Sequence, residues 1–524
     1  MEGELFVRKA TGLRRELGWF FVLSMPLNNL VGIWIAMYGM LATLQAPGGD
    51  VVLATFLAWI PILIGAVGLA LLSAAIPRSG GTYIWETRLL HPIFGGWGFP
   101  SSILLTVIAI GMMGVIAPQF IGMLLVMTGI RSGITSLIDV GSLISADLLV
   151  QLVIGALLII GGTLVNIFGV KWIKAANYII FIGSWAGTIL MLIVLAAATP
   201  QSVMATWDAT WGQGAYQEIV NLAGNTGWTF VPVTWEGTMS AMVVVYWAYV
   251  GMSIVPAMGG EISAPKKSFM IGIIAAALLL GFYYISFMWL VFSRYGDFVS
   301  QYTWVMLAGV ESVKPSVNVE LFPLAITLAL SATDSVLIQS IIMVSQILMI
   351  VAIFPALIPG ITREVFAMSF DRMLPRSFAN VHSKYRSPYV AAIFVGIASL
   401  LGLLFYGYAG FIAGAIGGTM LFALGDMLRG FQLISIPFFR EDIWRAGYAW
   451  TIKGFPVDSI VGLLVYMIPG WLMIFLTGKL MEPLGSFLNA LVFALGMIVF
   501  IIFLWKNKKE GHDMAKLYSE IPPA

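Results

Sequence analysis

The chain has 524 residues, of which 60% are hydrophobic and 10% charged, and its formal net charge is +2. A soluble domain carries roughly a quarter charged residues, so the composition excludes a water-solvated globular chain, and so small a net charge gives no ground for nucleic-acid binding. There are no cysteines, which excludes disulfides and thiolate chemistry.

A helix that crosses the hydrocarbon of a bilayer needs about 20 mostly apolar residues. In chain order, segment 1–16 is charged and reads as cytosolic, with no short apolar stretch and cleavage site of a removable signal. Twelve spans are then predicted: 17–44, 51–76, 97–128, 148–168, 175–198, 239–261, 269–292, 321–359, 389–406, 410–438, 459–477 and 483–505. Segment 199–238 holds Asp208, Glu218 and Glu236 and no basic residue, and reads as an extracellular loop. Its tryptophans (Trp207, Trp211, Trp228, Trp235) suit an interfacial belt. Segment 360–388 reads as an inner linker and 506–524 as a cytosolic tail. Of the 27 Lys and Arg residues, Arg131, Arg294, Lys314 and Lys479 fall outside and Arg429 lies within a span. All the others fall on the inner side, which places both termini in the cytosol of a multi-pass plasma-membrane protein.

Two spans are interrupted. The first contains Ser24-Met25-Pro26-Leu27-Asn28-Asn29-Leu30-Val31-Gly32, and the sixth Val250-Gly251-Met252-Ser253-Ile254-Val255-Pro256. Proline removes a backbone donor and glycine tolerates non-helical angles. Free backbone groups at membrane depth persist where they line a cavity. Such interruptions in matching places of two halves point to a transporter's site. Spans one and six are separated as two five-helix repeats require, 17–198 and 239–438, with 459–505 adding helices eleven and twelve.

Three inner segments carry further patterns. Ile76-Pro77-Arg78-Ser79-Gly80-Gly81-Thr82-Tyr83, followed by Glu86, Arg88, Pro92 and Gly95, suits a tight re-entry at the membrane face. Trp247-Ala248-Tyr249-Val250-Gly251 leads to Gly260-Glu261-Ile262-Ser263-Ala264-Pro265-Lys266-Lys267. Arg363-Glu364-Val365-Phe366-Ala367-Met368 precedes Asp371-Arg372-Met373-Leu374-Pro375, His382 and Pro388. Together these resemble the amino acid–polyamine–organocation (APC) transporters across roughly 17–388, with Arg372 in place of a usual glycine. The resemblance implies an all-α membrane protein with a 5+5 inverted repeat, discontinuous helices one and six, and two additional C-terminal helices.

The resemblance also implies a site. The family's unwinding of the first span falls on Gly32-Ile33-Trp34, where tryptophan replaces the last glycine. Trp247 stands where an aromatic closes over substrate. Ser253 stands where some members carry an acid, so their proton role does not transfer. Counting from Phe94-Gly95 brings Ala109, Ile110 and Gly114 of span three to the pocket, and a similar count brings Leu357 of span eight. The expected substrate-binding set is Asn28, Asn29, Gly32, Ile33, Ile110, Gly114, Trp247, Val250, Gly251 and Ser253. A carboxylate would face backbone N–H groups near Asn29–Gly32, and an amine would face free carbonyls around Trp247–Gly251.

Ionisable residues inside spans are functional by default. Glu261, near Lys266 and Lys267, reads either as an inner-gate salt bridge or as an interfacial charge. Asp426 and Arg429, at i and i+3, read as a structural pair or a proton relay. His91, His382 and His512 all fall inside, so no metal site is expected. No nucleophile motif or phosphate loop suggests an enzyme. The lysine that some members carry in span five falls on Ser184, and 351–355 of span eight offers no hydroxyl for sodium. Proton coupling, sodium coupling and exchange therefore stay open, and no cofactor is expected. The sequence reads as a secondary active transporter of amino acids, with a neutral, apolar substrate side chain, working by alternating access. A carrier of another small solute (an amine or a nucleobase) and a transport-dead receptor of the same fold are the alternatives.

Overall fold

The computed structural model describes residues 10–30, 33–307, 324–409, 414–467, 470–471, 474 and 483–523, without the side chains of 97–102, 409, 414–423, 465, 483–486, 488–489 and 492. The chain opens with α1 (Trp19–Leu30), α2 (Ile33–Gln45), α3 (Val51–Ala75), the short α4 (Thr82–Leu89), α5 (Pro92–Ser132), α6 (Thr135–Ala146), α7 (Leu148–Ile167) and α8 (Val170–Ala197). Next come α9 (Pro200–Trp211), α10 (Ala215–Asn225) and α11 (Trp235–Tyr246), then α12 (Pro265–Tyr295), α13 (Phe298–Leu307), α14 (Ala325–Leu330), α15 (Val336–Val351) and α16 (Ile353–Phe370). The chain continues through α17 (Tyr389–Ala409), α18 (Gly414–Phe439), α19 (Glu441–Ala446), α20 (Val457–Val461), α21 (Pro483–Lys509) and α22 (Met514–Ser519).

Local chemistry sets many boundaries. Asp50 Oδ1 accepts from Leu53 N at 2.9 Å and caps α3, and Asp147 does the same for α7 through Val150 N at 3.0 Å. Thr199 and Ser202 form a reciprocal capping box on α9. Pro92 stands in the first turn of α5, and Gly133 closes that helix in the left-handed region.

Among the described residues, nine helical stretches are long and apolar enough to cross a membrane. Leu149, Ile179, Ile182, Phe282 and Leu337 point outward from them, which suits lipid and not water. The chain is an all-α membrane protein. Helices α18 and α21 occupy the tenth and twelfth predicted segments. The eleventh, 459–477, falls partly outside the described residues.

Three boundaries differ from the sequence expectation. Segment three runs as one 41-residue helix, α5. The eighth segment begins at Val336, not 321, and continues helically through Arg363 and Glu364 to Phe370. The presumed loop 199–238 contains α9 and α10. There Trp207 and Trp211 are buried, with the Trp207 ring 5.0 Å from Phe298 and 5.3 Å from Tyr302. These two tryptophans form the core of a small helical cap, not an interfacial belt, because α13 supplies aromatic partners. Trp235 is exposed.

Both ends of the described chain pack at one face of the bundle. Leu17 pairs with Ile262, and Ser263 N donates to Leu17 O at 2.7 Å. Arg78 Nε donates to Pro522 O at 2.9 Å. This end is called the terminal face below.

Candidate functional site

The sixth span loses α-helical form after Tyr246. Trp247–Tyr249 is a 3-10 turn, Gly251 has φ 132°, and Met252–Ala257 and Gly259–Glu261 are further 3-10 turns. A positive φ of this kind is cheap only for glycine. A Cβ on Gly251 would also collide with Asn29 Nδ2, so spans one and six touch at the break.

Span one differs from expectation. α1 stays helical through Asn28 and Asn29 to Leu30, despite Pro26. Asn28 Nδ2 donates sideways to Asn177 O at 2.9 Å and Asn177 Oδ1 at 2.7 Å. It is a strut to α8, not an unwound segment. Gly32 lies outside the described residues, and Ile33 is buried at the start of α2.

Three of the backbone carbonyls expected to face an amine, those of Trp247, Ala248 and Gly251, already have donors. The Tyr284 hydroxyl donates to Ala248 O at 2.9 Å and also meets Leu30 O. Trp247 O accepts from Val250 N at 3.1 Å, and Gly251 O from Ile254 N at 3.3 Å. Asn29 O accepts from Trp34 Nε1 at 2.8 Å. Trp34 thus satisfies the end of α1, and its ring stacks 6.3 Å from Tyr38, which lies 6.2 Å from Trp247. Trp247 is half-buried in this aromatic row.

A cavity of about 50 Å³ opens beside the break. Its walls are Pro61–Leu69 positions of α3, Tyr246, Tyr249 to Ser253 of the broken span, Asp426 and Arg429 of α18, and Tyr466. Val250, Gly251 and Ser253 line it, as do the two ionisable residues of span ten. Arg429 Nη2 lies 2.5 Å from Asp426 Oδ1, the Tyr246 hydroxyl donates to Asp426 Oδ2 at 2.9 Å, and Arg429 sits 5.5 Å from the Tyr466 ring. The pair therefore satisfies its own charge. Asn28, Asn29, Ile33, Ile110, Gly114 and Trp247 do not line this cavity. Gly114 packs α5 against Gly155 of α7 and Leu403 of α17, and Ile110 is fully buried.

At the terminal face, Glu261 does not pair with Lys266 or Lys267. Arg363 grips it with Nε–Oε2 at 3.0 Å and Nη2–Oε1 at 2.9 Å, and both side chains are fully buried. Arg363 also meets Asn166 Oδ1. Lys266 Nζ instead donates to Gly447 O at 3.0 Å. A second buried pair joins Arg88 of α4 to Asp371 at 2.5 and 2.9 Å. The Tyr83 hydroxyl donates to the same carboxylate at 3.0 Å, and the Arg88 guanidinium lies 5.2 Å from the Tyr518 ring. The three inner sequence patterns thus meet in one layer. Glu86, on the same short helix, is 6% exposed, and burial pushes its carboxyl up to about 8 against the opposing charge of Arg429.

The model for the amino acid permease family matches residues 17–523. The chain belongs to the amino acid permease family. It is therefore an APC-superfamily transporter and not an enzyme. The permease is 23% identical over 422 residues to the branched-chain amino acid permease BcaP of Bacillus subtilis (strain 168), covering 77% of this chain and 80% of that one. It is 28% identical over 183 residues to the methylthioribose transporter of the same organism, covering 35% of this chain and 34% of the other.

Several site residues of the permease escaped the sequence reading. Tyr284 carried one signal, a hydroxyl deep in an apolar span that must find an acceptor. Arg363 and Asp371 stood in a recognised pattern, yet their partners are tertiary. Ser184 keeps a structural contact, since its carbonyl accepts from Ser345 Oγ at 2.7 Å.

Proposed function

We propose that the permease is a secondary transporter of neutral amino acids, with a branched aliphatic side chain as the best-supported class. It works by alternating access across the plasma membrane, with the terminal face cytosolic. The observation that carries this is the break at Gly251, which opens on a cavity whose one acid–base pair among the described residues, Asp426 and Arg429, is internally neutral. A charged substrate side chain would lack a counter-charge there, and an unpaired charge in an apolar site is costly. The branched-chain permease among its relatives supports the same side-chain class.

The buried ion pairs and the docked C-terminal segment suit a conformation shut at the terminal face. Inward opening must part Glu261 from Arg363 and Arg88 from Asp371. It must also part the Tyr284 hydroxyl from the carbonyls of Leu30 and Ala248 if these are to receive an ammonium group. A neutral, non-amino-acid solute is the second reading, favoured by the likeness to a methylthioribose transporter over part of the chain.

Thermal unfolding of the purified protein against a panel of isoleucine, leucine, alanine, arginine, glutamate and methylthioribose, with and without sodium, tests this reading. A ligand that binds only the folded state raises the midpoint. Isoleucine and leucine should stabilise most. Stabilisation by arginine or glutamate alone would refute the neutral-substrate reading.

A further inference from the structure

Arg88 stands on the short helix α4, Arg363 and Arg429 on helices packed against it, and each is already held. Arg88 is bound by Asp371 at 2.5 and 2.9 Å, Arg363 by Glu261 at 3.0 and 2.9 Å, and Arg429 by Asp426 at 2.5 Å. Two carboxyl groups are left over, Glu86 of α4 and Glu364 of α16. Each is 6% exposed. Among the described residues, neither has a hydrogen-bond or ion-pair partner.

Their placement brings them towards one another. On α16, Gly360 and Ala367 flank Glu364 at i−4 and i+3 and so share its face. Gly360 packs on Ile254 of the broken span, and Ala367 on Gly80 just before α4. Glu364 therefore looks toward the 3-10 turns and α4. The elements packed on α4 are α5, α16, α18, α22 and the turns Met252–Ala257. Their charged or titratable groups are few. α16 offers Arg363 and Glu364, and α18 offers Asp426 and Arg429. From α22 come Tyr518 and the exposed Lys516. The single charge of α5 is Arg131 in its last turn, and the turns have none. On α4 itself stand Tyr83 and Arg88, both on Asp371. Nearby, Arg440 is held by Asp442 at 3.1 Å, and Arg78 rests on the Pro522 carbonyl. On α8, Lys171 is exposed and Lys174 lies over the Tyr178 ring. Among the described residues, the arginines beside these glutamates are held by other carboxylates, Arg429 by Asp426 included.

Two ionised carboxylates cannot share a buried site without a cation. We infer that Glu86 and Glu364 hold an exchangeable proton between them, and that this proton is the coupling ion of transport. It rests on the amino acid transport reading above. While the terminal face is shut, the pair takes one proton that originates in the outer bath. When α4 parts from α16, water reaches both carboxyls and the proton leaves to the cytosolic bath. One proton moves inward per cycle, and no bond other than O–H is made or broken. The elevated affinity of Glu86 for its proton fits a group loaded at neutral pH and unloaded by hydration. Arg429 makes the connection to the cavity, since it lies on Asp426 and also within electrostatic reach of Glu86. Ionised Glu86 competes with Asp426 for it.

The test uses full-length protein in proteoliposomes, with isoleucine as probe, and the variants Glu86→Gln and Glu364→Gln. Under an inward-directed pH gradient the parent should accumulate isoleucine up to about tenfold per pH unit, the limit for one proton per substrate. Each variant should only equilibrate it, near onefold, while isoleucine counterflow without a gradient persists. Accumulation by both variants at the parent level would overturn the inference. So would a parent that exchanges isoleucine but ignores the gradient. Infrared titration of the same proteins without substrate is the independent arm. A protonated-carboxyl band should titrate near pH 8 in the parent, and that titration step should be absent from Glu86→Gln. A step that persists near pH 8 in Glu86→Gln also overturns the assignment. Absence of isoleucine counterflow in the parent would count against the substrate reading instead, and the infrared result would still decide on the carboxyl pair.

Discussion

Gly251 combines a φ of 132° with a close approach to Asn29. Gly251→Ala must strain the backbone, at a cost on the order of 1–3 kcal/mol, and push spans one and six apart. Its melting temperature in detergent should fall and its uptake should drop at least tenfold; parent-like values for both would show that the break tolerates a side chain. Glu86 gives a pH signature. Its folded-state pKa of about 8 lies above its ordinary 4.5, so the unfolded chain releases the proton first. Its contribution to stability is then fully present below about 4.5 and is lost as pH rises through 8. The stability advantage of Glu86→Gln over the parent should grow from pH 5 to 8 and then level. An advantage independent of pH would contradict the raised value. At this scale the sequence was legible where chemistry is local. Gly251 and Pro256 announce a break by themselves. Asn28 did not declare that it is a strut, because Asn177 is 149 positions away. The carbonyls of the break gave no sign that Tyr284 covers them.

Helix α16 shows what hydropathy misses at the scale of elements. Arg363 and Glu364 look like the end of a span, since charges in hydrocarbon are costly. The helix nevertheless runs on to Phe370, because Glu261 neutralises Arg363 inside the protein and no lipid sees the charge. The position of Glu261 at the end of span six was readable, but its partner was not. Removing one member of a buried pair leaves the other uncompensated, typically at 3–5 kcal/mol. Arg363→Ala should therefore be severely destabilised, and the double variant Glu261→Ala/Arg363→Ala should lose less than the sum of the two single changes. Additive losses in thermal unfolding would mean that the two groups are not coupled. The cap of α9, α10 and α13 makes a related point: tryptophans in a polar-looking segment were set in an aromatic core supplied by a distant segment.

For the whole molecule, composition, the broken helix and the three inner patterns placed the chain in its superfamily before any geometry was known. Lys and Arg asymmetry supports the proposed orientation, with the terminal face in the cytosol. A reporter active only in the cytosol, fused after Ala524, should be active. A reporter active only outside the cytosol should be silent at the same point, and the reverse pattern would invert the topology. The substrate class was the least legible part, because it depends on which walls converge. Both readings include span six, but the cavity also draws on α3 and α18, while the sequence pointed to spans one, three and eight. Counterflow of labelled isoleucine in proteoliposomes, competed by leucine, alanine, arginine and glutamate, tests neutral amino acid transport most directly. Unlabelled leucine should abolish the signal and alanine reduce it, with arginine and glutamate leaving it intact. Competition by arginine or glutamate, with none by leucine or alanine, would contradict a neutral substrate and show that the charges of the pocket lie elsewhere.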